Sequence, residues 1–157
     1  MTDTKSLDEL LDPGAFVMLM TMIDGVHSSR PITVAEVDGS SLRFLVDDGA
    51  DWMQAVVAGR ADTHGTVSDN RSNTFLAFNA STAVSKDRAE IDRLWNPAAG
   101  AYFDGGKDDP GVAVLTVDVS GGEYWDSPSG RIGSVISMVR AAVGQADDAG
   151  ERGNIET

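Results

Sequence analysis

Two histidines, at positions 27 and 64, are the chain's only imidazoles and its first candidates for acid–base or metal chemistry. They are far apart in sequence, so neither belongs to a short-spaced ligand pair of the kind that binds zinc. His27 precedes Arg30 in the same segment, but nothing in the sequence supports a proton-transfer role for it. We interpret His27 and His64 as exposed strand residues and predict no metal site.

Other local patterns also fail to assign a chemistry. The acidic cluster at residues 104–109 lacks the spacing of a twelve-residue calcium loop, so a solvated loop is the better interpretation. The Gly-Gly pairs at 105–106 and 121–122 lack the glycine spacing of a nucleotide-binding loop. No serine lies in a Gly-x-Ser-x-Gly elbow, and the absence of cysteine excludes disulfides and thiolate chemistry. The residues alone therefore leave the catalytic groups unknown.

Charge and composition limit the classes of partner. The 157 residues include 12 basic and 25 acidic side chains, for a formal net charge of −13. Such a surface repels nucleic-acid backbones and anionic membranes, so we predict neither as a partner. No apolar run approaches the roughly 18 residues that a spanning helix needs, and the N-terminal residues lack the pattern of a secretory signal. We expect a cytoplasmic protein.

The elements that must position any site are mostly short strands. Apolar runs and alternation predict them, and turn signals such as Asp24-Gly25 and Asp38-Gly39 separate them, because glycine tolerates the positive φ of tight turns. The predicted strands cover residues 16–23, 27–37, 41–46, 61–68, 74–84, 112–119 and 123–126. The 61–68 strand is weak because its alternation is mostly polar, and Gly121-Gly122 is expected to break the last two strands apart.

Helices are predicted to flank these strands. They cover residues 6–11, 51–58, 86–94 and 132–143. Ser85 is expected to cap the helix over 86–94. Residues 96–111 are predicted to be a loop. Successive hairpin signals favour antiparallel pairing, so the pattern predicts a mainly β fold with flanking helices. We expect one domain over residues 1–143 and a flexible tail over 144–157.

Five stretches carry a resemblance to a known family. They are residues 29–33 (SRPIT), 42–47 (LRFLVD), 87–97 (DRAEIDRLWNP), 105–110 (GGKDDP) and 123–130 (EYWDSPSG). In this order and spacing the chain resembles the general stress protein 26 branch of the pyridoxamine 5'-phosphate oxidase-related FMN-binding split barrels. The resemblance implies an antiparallel split β-barrel and a homodimer that binds flavin mononucleotide (FMN) in a groove between the subunits.

The resemblance also implies a set of cofactor-binding residues. They are Arg30, Pro31, Thr33, Leu45, Val46, Asp47, Trp52 and Trp125. An arginine offers a planar fork of donors to a phosphate or to flavin carbonyls, and a tryptophan offers a large apolar face to the ring. Trp125 is expected beside the ring, contributed by the partner chain. The alternatives are that Arg30 pairs with a surface acid and that Trp125 is a core or interface aromatic.

The chain departs from the family at the phosphate site. Members carry a phosphate-binding lysine at the start of the helix after the third strand, whereas this turn reads GADW over residues 49–52. Trp52 takes the lysine position and Asp51 precedes it, and a carboxylate close to a phosphate costs energy. Arg30 and the helix N-terminus are then expected to hold the phosphate, unless FMN binding is weakened or lost, or another flavin analogue has replaced FMN.

Three functions remain open at this point. The first is an FMN-dependent oxidoreductase linked to stress, in which the flavin carries the electrons. The second is a non-catalytic, dimeric flavin- or ligand-binding stress protein, and the third is a structural dimer without a ligand. Oxidation of pyridoxamine phosphate itself is not expected, because the sequence shows no basic cluster for the phosphate of that substrate.

Overall fold

The computed structural model describes residues 3–126 and 151–157, which form one mainly β unit. Its strands are β1 (Asp3–Lys5), β2 (Phe16–Ile23), β3 (Val26–Thr33), β4 (Glu36–Asp38), β5 (Ser41–Asp47), β6 (Ala61–Asp69), β7 (Thr74–Ser85), β8 (Val112–Asp126) and β9 (Glu151–Ile155). Its helices are α1 (Leu7–Leu10), α2 (Asp51–Val57), α3 (Arg88–Leu94) and α4 (Pro97–Tyr102). A 3₁₀ turn follows over Gly106–Asp108.

The strands form one curved, largely antiparallel sheet in the order β1-β9-β8-β7-β6-β2-β3. The 15-residue β8 organises it. One edge of β8 pairs with β7 over residues 114–126, with a bulge at Ser120, while the other edge pairs with β5 over residues 112–118 and with β9 over residues 123–126. Among the described residues, no hydrogen-bonded ladder joins β3 to β5. The sheet is therefore open between these two strands, and the prediction of a split barrel is confirmed.

The core fills the inside of this curved sheet. In β5 the alternation is as predicted, because Leu42, Phe44 and Val46 are buried while their neighbours are only partly covered. Inward side chains of β2, β7 and β8 join them, and Phe44 and Phe78 are almost fully buried. A smaller cluster packs α3 and α4 against the outside of β8 around Ile91. This second cluster fixes the helices that flank the opening between β3 and β5.

The predicted strand over residues 27–37 is in fact two strands. β3 ends at Thr33, and β4 starts at Glu36. Between them the Val34 amide donates to the carbonyl of Ala15 at 2.9 Å, and the next amide, of Ala35, donates to the carbonyl of Arg43 at 2.8 Å. The chain therefore changes its hydrogen-bonding partner from β2 to β5 at this point, and that change ends the strand.

The polar alternation of β6 has a packing explanation. Its inward positions are held by small residues, including Gly65. A Cβ at Gly65 would overlap the ring of Phe78, which lies directly across the ladder in β7. The large side chain that the core needs here is thus supplied by β7. For this reason β6 is a true strand despite its weak apolar signal.

Two predictions about the region after β7 are wrong in detail. The cap of α3 is Asp87, whose carboxylate accepts from the amide of Ala89 at 3.1 Å, while the Ser85 hydroxyl accepts from the amide of Asp87. The segment predicted as a loop contains α4. Asn96 caps this helix by accepting from the amide of Ala99 at 3.0 Å, and proline occupies its first turn, a combination that favours helix initiation.

The glycine pair in β8 does not break the strand. Gly122 lies so close to β7 that a Cβ there would be 2.5 Å from the carbonyl oxygen of Ala77. Glycine therefore permits this close approach of the two strands. The register shifts beside it, so that Ser120 is an extra residue between the pairs Asn79–Gly121 and Ala80–Val119. Such a bulge increases local twist without ending the pairing.

The predicted flexible tail is wrong for its last part. Residues of β9 pair with both β1 and β8, and Ile155 is buried in the core. This strand was missed because the sequence ERGNI has little strand signal of its own and is held by its neighbours. The domain boundary at residue 143 and the helix predicted over 132–143 lie outside the described residues. None of the described helices has the length and apolar character that crossing a bilayer requires.

Candidate functional site

A cavity of about 340 Å³ lies where the barrel is split. Its walls come from β3, β5, the start of α2 and α4. It brings together seven of the eight residues predicted to bind the cofactor: Arg30, Pro31, Thr33, Leu45, Val46, Asp47 and Trp52. The volume is within the range of small-molecule sites, at its lower end. The split therefore creates the candidate site, because a closed barrel would have a hydrogen-bonded ladder in its place.

Arg30 is held in place by three contacts. Nη1 donates to the Thr21 hydroxyl at 3.0 Å, and Nη2 donates to the Ser28 hydroxyl. The guanidinium carbon lies 4.4 Å from the centroid of the Trp52 ring. A cation over a tryptophan face gains about 0.5–2 kcal/mol depending on its desolvation. Trp52, which the family resemblance places at the lysine position, thus serves as a platform for Arg30.

The alternative interpretation of Arg30, as the partner of a surface acid, does not fit its surroundings. Within the described part of the chain no carboxylate lies at ion-pair distance from its guanidinium. By contrast, Arg43 on β5 pairs with both Glu36 and Asp38. Burial lowers the pKa of the Arg30 guanidinium, which nevertheless stays protonated at neutral pH. The cavity therefore contains a guanidinium with which no described carboxylate forms a direct ion pair.

The wall from β5 combines apolar surface with one acid. Leu45 and Val46 supply the apolar part, and Asp47 closes the strand. The Asp47 carboxylate accepts from the amide of Gly49 at 2.9 Å, which shapes the turn into α2. This contact is an Asx-type turn bond, and it gives Asp47 a structural role at the cavity edge.

The predicted conflict at the turn before Trp52 is smaller than expected. Asp51 is exposed and does not line the cavity. However, α2 is only seven residues long and carries this carboxylate in its first turn. We therefore assign no anion site to the α2 N-terminus, and among the described lining residues Arg30 is the cation that could hold a phosphate.

The wall from α4 was missing from the sequence prediction. It contributes Asn96, Ala98, Ala99, Tyr102 and Phe103. Tyr102 packs edge-on against Phe103 with ring centroids 4.9 Å apart, yet it remains 71% exposed. The Asn-Pro pair that starts this helix is a recognisable start signal, so the sequence did contain a pointer to this wall.

Trp125 lies elsewhere on the chain. It is in the second half of β8, opposite Phe75 of β7, and it is not among the cavity-lining residues of its own chain. The guanidinium carbon of Arg152 in β9 lies 5.4 Å from the centroid of the Trp125 ring. The idea that Trp125 reaches the site of a partner chain stays a prediction.

Both histidines are strand residues as predicted, but only His27 is exposed, whereas His64 is half-buried. The fold nevertheless places both on the same face of the sheet, on the two neighbours of β2. Among the described residues, no group of three or more histidine and carboxylate side chains is arranged to hold a metal.

Several solved structures share this fold. A general stress protein 26 from Jannaschia sp. CCS1 is 26% identical, with a TM-score of 0.74, covering 96% of this chain and 94% of that chain. A general stress FMN/FAD binding protein from Xanthomonas citri is 30% identical, with a TM-score of 0.62 and coverage of 72% and 80%. A general stress family protein from Xanthomonas campestris pv. campestris is also 30% identical, with a TM-score of 0.61 and coverage of 74% and 81%.

The sequence comparison agrees with the structural one. No curated protein is significantly similar to this chain. A sequence model of the family described as "Pyridoxamine 5'-phosphate oxidase like" matches residues 2–148. Since this match spans nearly the whole chain and includes both strands that line the cavity, the protein belongs to the pyridoxamine 5'-phosphate oxidase-like family.

Proposed function

We propose that this protein is a flavin-binding stress protein and that the cavity at the barrel split holds FMN. The observation that carries the proposal is the Arg30 guanidinium, which lines this cavity without a carboxylate partner among the described residues. A partly buried cation without an ion-pair partner is costly to desolvate, and an anionic ligand offsets that cost. A phosphorylated ligand does so, and the apolar remainder of the cavity suits a planar ring.

The donors of Arg30 fit a phosphate. A guanidinium has five N–H groups in a fixed fork, and two contacts to hydroxyls of Thr21 and Ser28 are seen. The other N–H groups are available to an anion, and bonds from arginine to phosphate are among the stronger hydrogen bonds in proteins. The missing family lysine means that fewer charged donors reach the phosphate than in typical members, so we expect weaker FMN binding than theirs.

The remaining walls fit the isoalloxazine ring. Ile32, Leu45, Ala99 and Phe103 provide apolar surface around the cavity, and such surface stabilises a bound aromatic ring by burial. A neighbouring cavity of about 490 Å³ shares Thr33, Ala35, Asn96 and Ala98 with the first. Together they offer an extended groove, as an elongated ligand with a ring and a phosphate requires.

A relative supports the flavin, and the shape of the site supports a dimer. The Xanthomonas citri protein, described as FMN/FAD binding, is 30% identical over 72% of this chain. The cavity at the split lies at the lower end of the volumes of small-molecule sites, and the exposed Tyr102 lines it. We propose that a second copy of the chain completes the groove, with Trp125 of the partner near the ring.

The groups around the cavity favour binding and orientation over acid–base catalysis by the protein. Asp47 is the carboxylate among the described lining residues, and its Oδ1 already accepts the amide of Gly49. When bound, flavin supplies redox chemistry by accepting and donating electrons at its ring. The chain would hold the phosphate with Arg30 and shield the ring with the apolar walls. We propose that this takes place in the cytoplasm.

The experiment is a titration of purified protein with FMN, followed by flavin fluorescence and absorbance. Saturable binding at one flavin per chain supports the proposal. The absence of any binding of FMN, FAD or riboflavin overturns it. Turnover of a reduced nicotinamide with an electron acceptor then separates an oxidoreductase from a binder. Sedimentation with and without FMN tests the dimer. If the protein is a monomer when saturated with FMN, a second copy is not needed to complete the site.

A further inference from the structure

The outer face of the sheet, opposite the core, carries a row of methionines. Along β2 the side chains alternate, so Val17, Leu19 and Thr21 are buried while Met18, Met20 and Met22 lie on the outer face. Three thioethers at every second position of one strand stand about 7 Å apart from one to the next. None of these three methionines lines the cavity.

Each of the last two methionines has a histidine beside it on a neighbouring strand. Met22 is paired with His27 of β3, and the Nε2 of His27 lies 3.1 Å from the Sδ of Met22. Met20 is paired with His64 of β6. Directly paired residues of an antiparallel ladder point to the same face. Two sulfurs and two imidazoles therefore lie on adjacent rows of one surface, with a direct contact between His27 and Met22. We call them the sulfur–imidazole cluster (Met20, Met22, His27 and His64).

The imidazole of His64 is oriented in the way that metal-binding histidines usually are. Its Nδ1 lies 3.0 Å from the Oδ1 of Asn79 on β7. Because a carbonyl oxygen can only accept, Nδ1 carries the proton in this pair. Nε2 then has a free lone pair and faces away from Asn79. A hydrogen bond that fixes the tautomer and ring orientation is the typical support of a histidine ligand.

We propose that the sulfur–imidazole cluster is a binding site for a soft monovalent cation, Cu(I). Thioether sulfur and neutral imidazole are ligands that favour Cu(I), whereas harder cations prefer carboxylate and carbonyl oxygen. The thioether is polarizable and flexible, so small rotations of Met20 and Met22 can bring both sulfurs to one ion. The net charge of −13 raises the local concentration of any cation at the surface.

The plain alternative is that these side chains only pack and hydrogen-bond. A single imidazole–sulfur contact is a weak hydrogen bond, and methionines often fill irregular surfaces. The alternative does not explain why each of the chain's two histidines is paired with one of two successive outward methionines, His27 with Met22 and His64 with Met20. If the cluster binds metal, replacing Met22 should abolish Cu(I) binding while replacing Met18, which has no histidine partner, should not. If the side chains only pack, the two substitutions should not differ in this way.

The test is anaerobic competition for Cu(I) between the purified full-length protein and a coloured Cu(I) chelator such as bicinchoninate. The wild type should remove one Cu(I) per chain from the chelator. Met22→Leu and His27→Gln each delete a ligand atom, and both should abolish this competition. Asn79→Ala removes the support of His64 and should weaken the affinity by about 10-fold or more, the usual effect of losing such a partner.

Met18→Leu is the matched control, because Met18 lies on the same face but is paired with Pro31 and Thr66, which offer no imidazole. This variant should bind Cu(I) like the wild type. Leucine approximates the volume of methionine, and urea unfolding of each variant checks that the sheet is intact. A wild type that leaves all Cu(I) on the chelator overturns the proposal. So does a folded Met22→Leu variant that still competes, or a Zn²⁺ affinity equal to that for Cu(I).

Discussion

Replacing Arg30 with alanine should weaken FMN binding more than any other single change in the cavity. The substitution deletes the lining cation with which no described carboxylate forms an ion pair. A hydrogen bond to a charged group contributes about 1.5–3 kcal/mol, which corresponds to a rise in Kd of about 10- to 150-fold. Riboflavin lacks the phosphate, so its affinity should change little. The comparison of the two flavins identifies which part of the ligand Arg30 contacts.

Trp52 should act through Arg30. The 4.4 Å stack between guanidinium and indole is of a kind that contributes about 0.5–2 kcal/mol, so Trp52→Leu should raise the Kd for FMN by about 2- to 30-fold. Leucine keeps an apolar side chain against the core, which Trp52 also touches. In the absence of Arg30, Trp52 has no guanidinium to stack against. The double variant should therefore have the same FMN affinity as Arg30→Ala alone.

The assay is a double-mutant cycle read by flavin fluorescence, with FMN and riboflavin titrated into the four proteins. Arg71→Ala, which removes an exposed arginine in the turn between β6 and β7, controls for the change in net charge. Equal losses for FMN and riboflavin would show that Arg30 contacts the ring and not the phosphate. Strictly additive effects of the two substitutions would refute the platform role of Trp52. Unchanged FMN affinity in Arg30→Ala would refute the role of Arg30 in binding the phosphate.

Three further outcomes are expected from the same physical reasoning. Trp52→Lys adds a cation where the family resemblance places a lysine, a gain of about 1.5–3 kcal/mol that outweighs the loss of the indole stack at about 0.5–2 kcal/mol, so FMN binding should tighten by about 1 kcal/mol while riboflavin titration shows no gain. Gly65→Ala should destabilise the fold by about 1–3 kcal/mol, measured by urea unfolding, because its Cβ would overlap the buried Phe78 ring. Hydrogen bonds from Arg93 lower the pKa of Glu36 below its ordinary value of 4.5, so its stabilising contribution is complete above that pH and is lost as the pH falls towards the folded-state pKa. Glu36→Gln should therefore flatten the acid side of a stability profile.

The sequence predicted the strands best where burial alternates along a single ladder. β2 and β5 follow their patterns because one face meets the core and the other does not. The family motifs then placed Arg30 and Asp47 on the correct strands, and the fold brings those strands to one cavity. Alternation reports on local exposure, which is why these elements could be identified without knowing their partners.

Features that depend on distant partners were missed. β9 is a strand because β1 and β8 flank it, and its own residues carry little preference. The glycines in β8 indicate a break by composition, but the close approach of Gly122 to Ala77 makes them a requirement of pairing. The arginine–tryptophan stack joins residues from β3 and α2. None of these contacts has a signature at short sequence range, so only the folded chain reveals them.

The alternation along β3 separates the two proposed sites. Arg30 faces the core side of the sheet, where its neighbours are the buried Thr21 and the cavity. His27, three residues earlier, faces the outer side beside Met22. Because successive residues of a strand point to opposite faces, Arg30 and His27 lie on opposite faces, and neither His27 nor Met22 lines the cavity. Substitutions at Arg30 should therefore leave Cu(I) competition unchanged, and His27→Gln should leave flavin affinity unchanged. Each proposal can thus fail without the other.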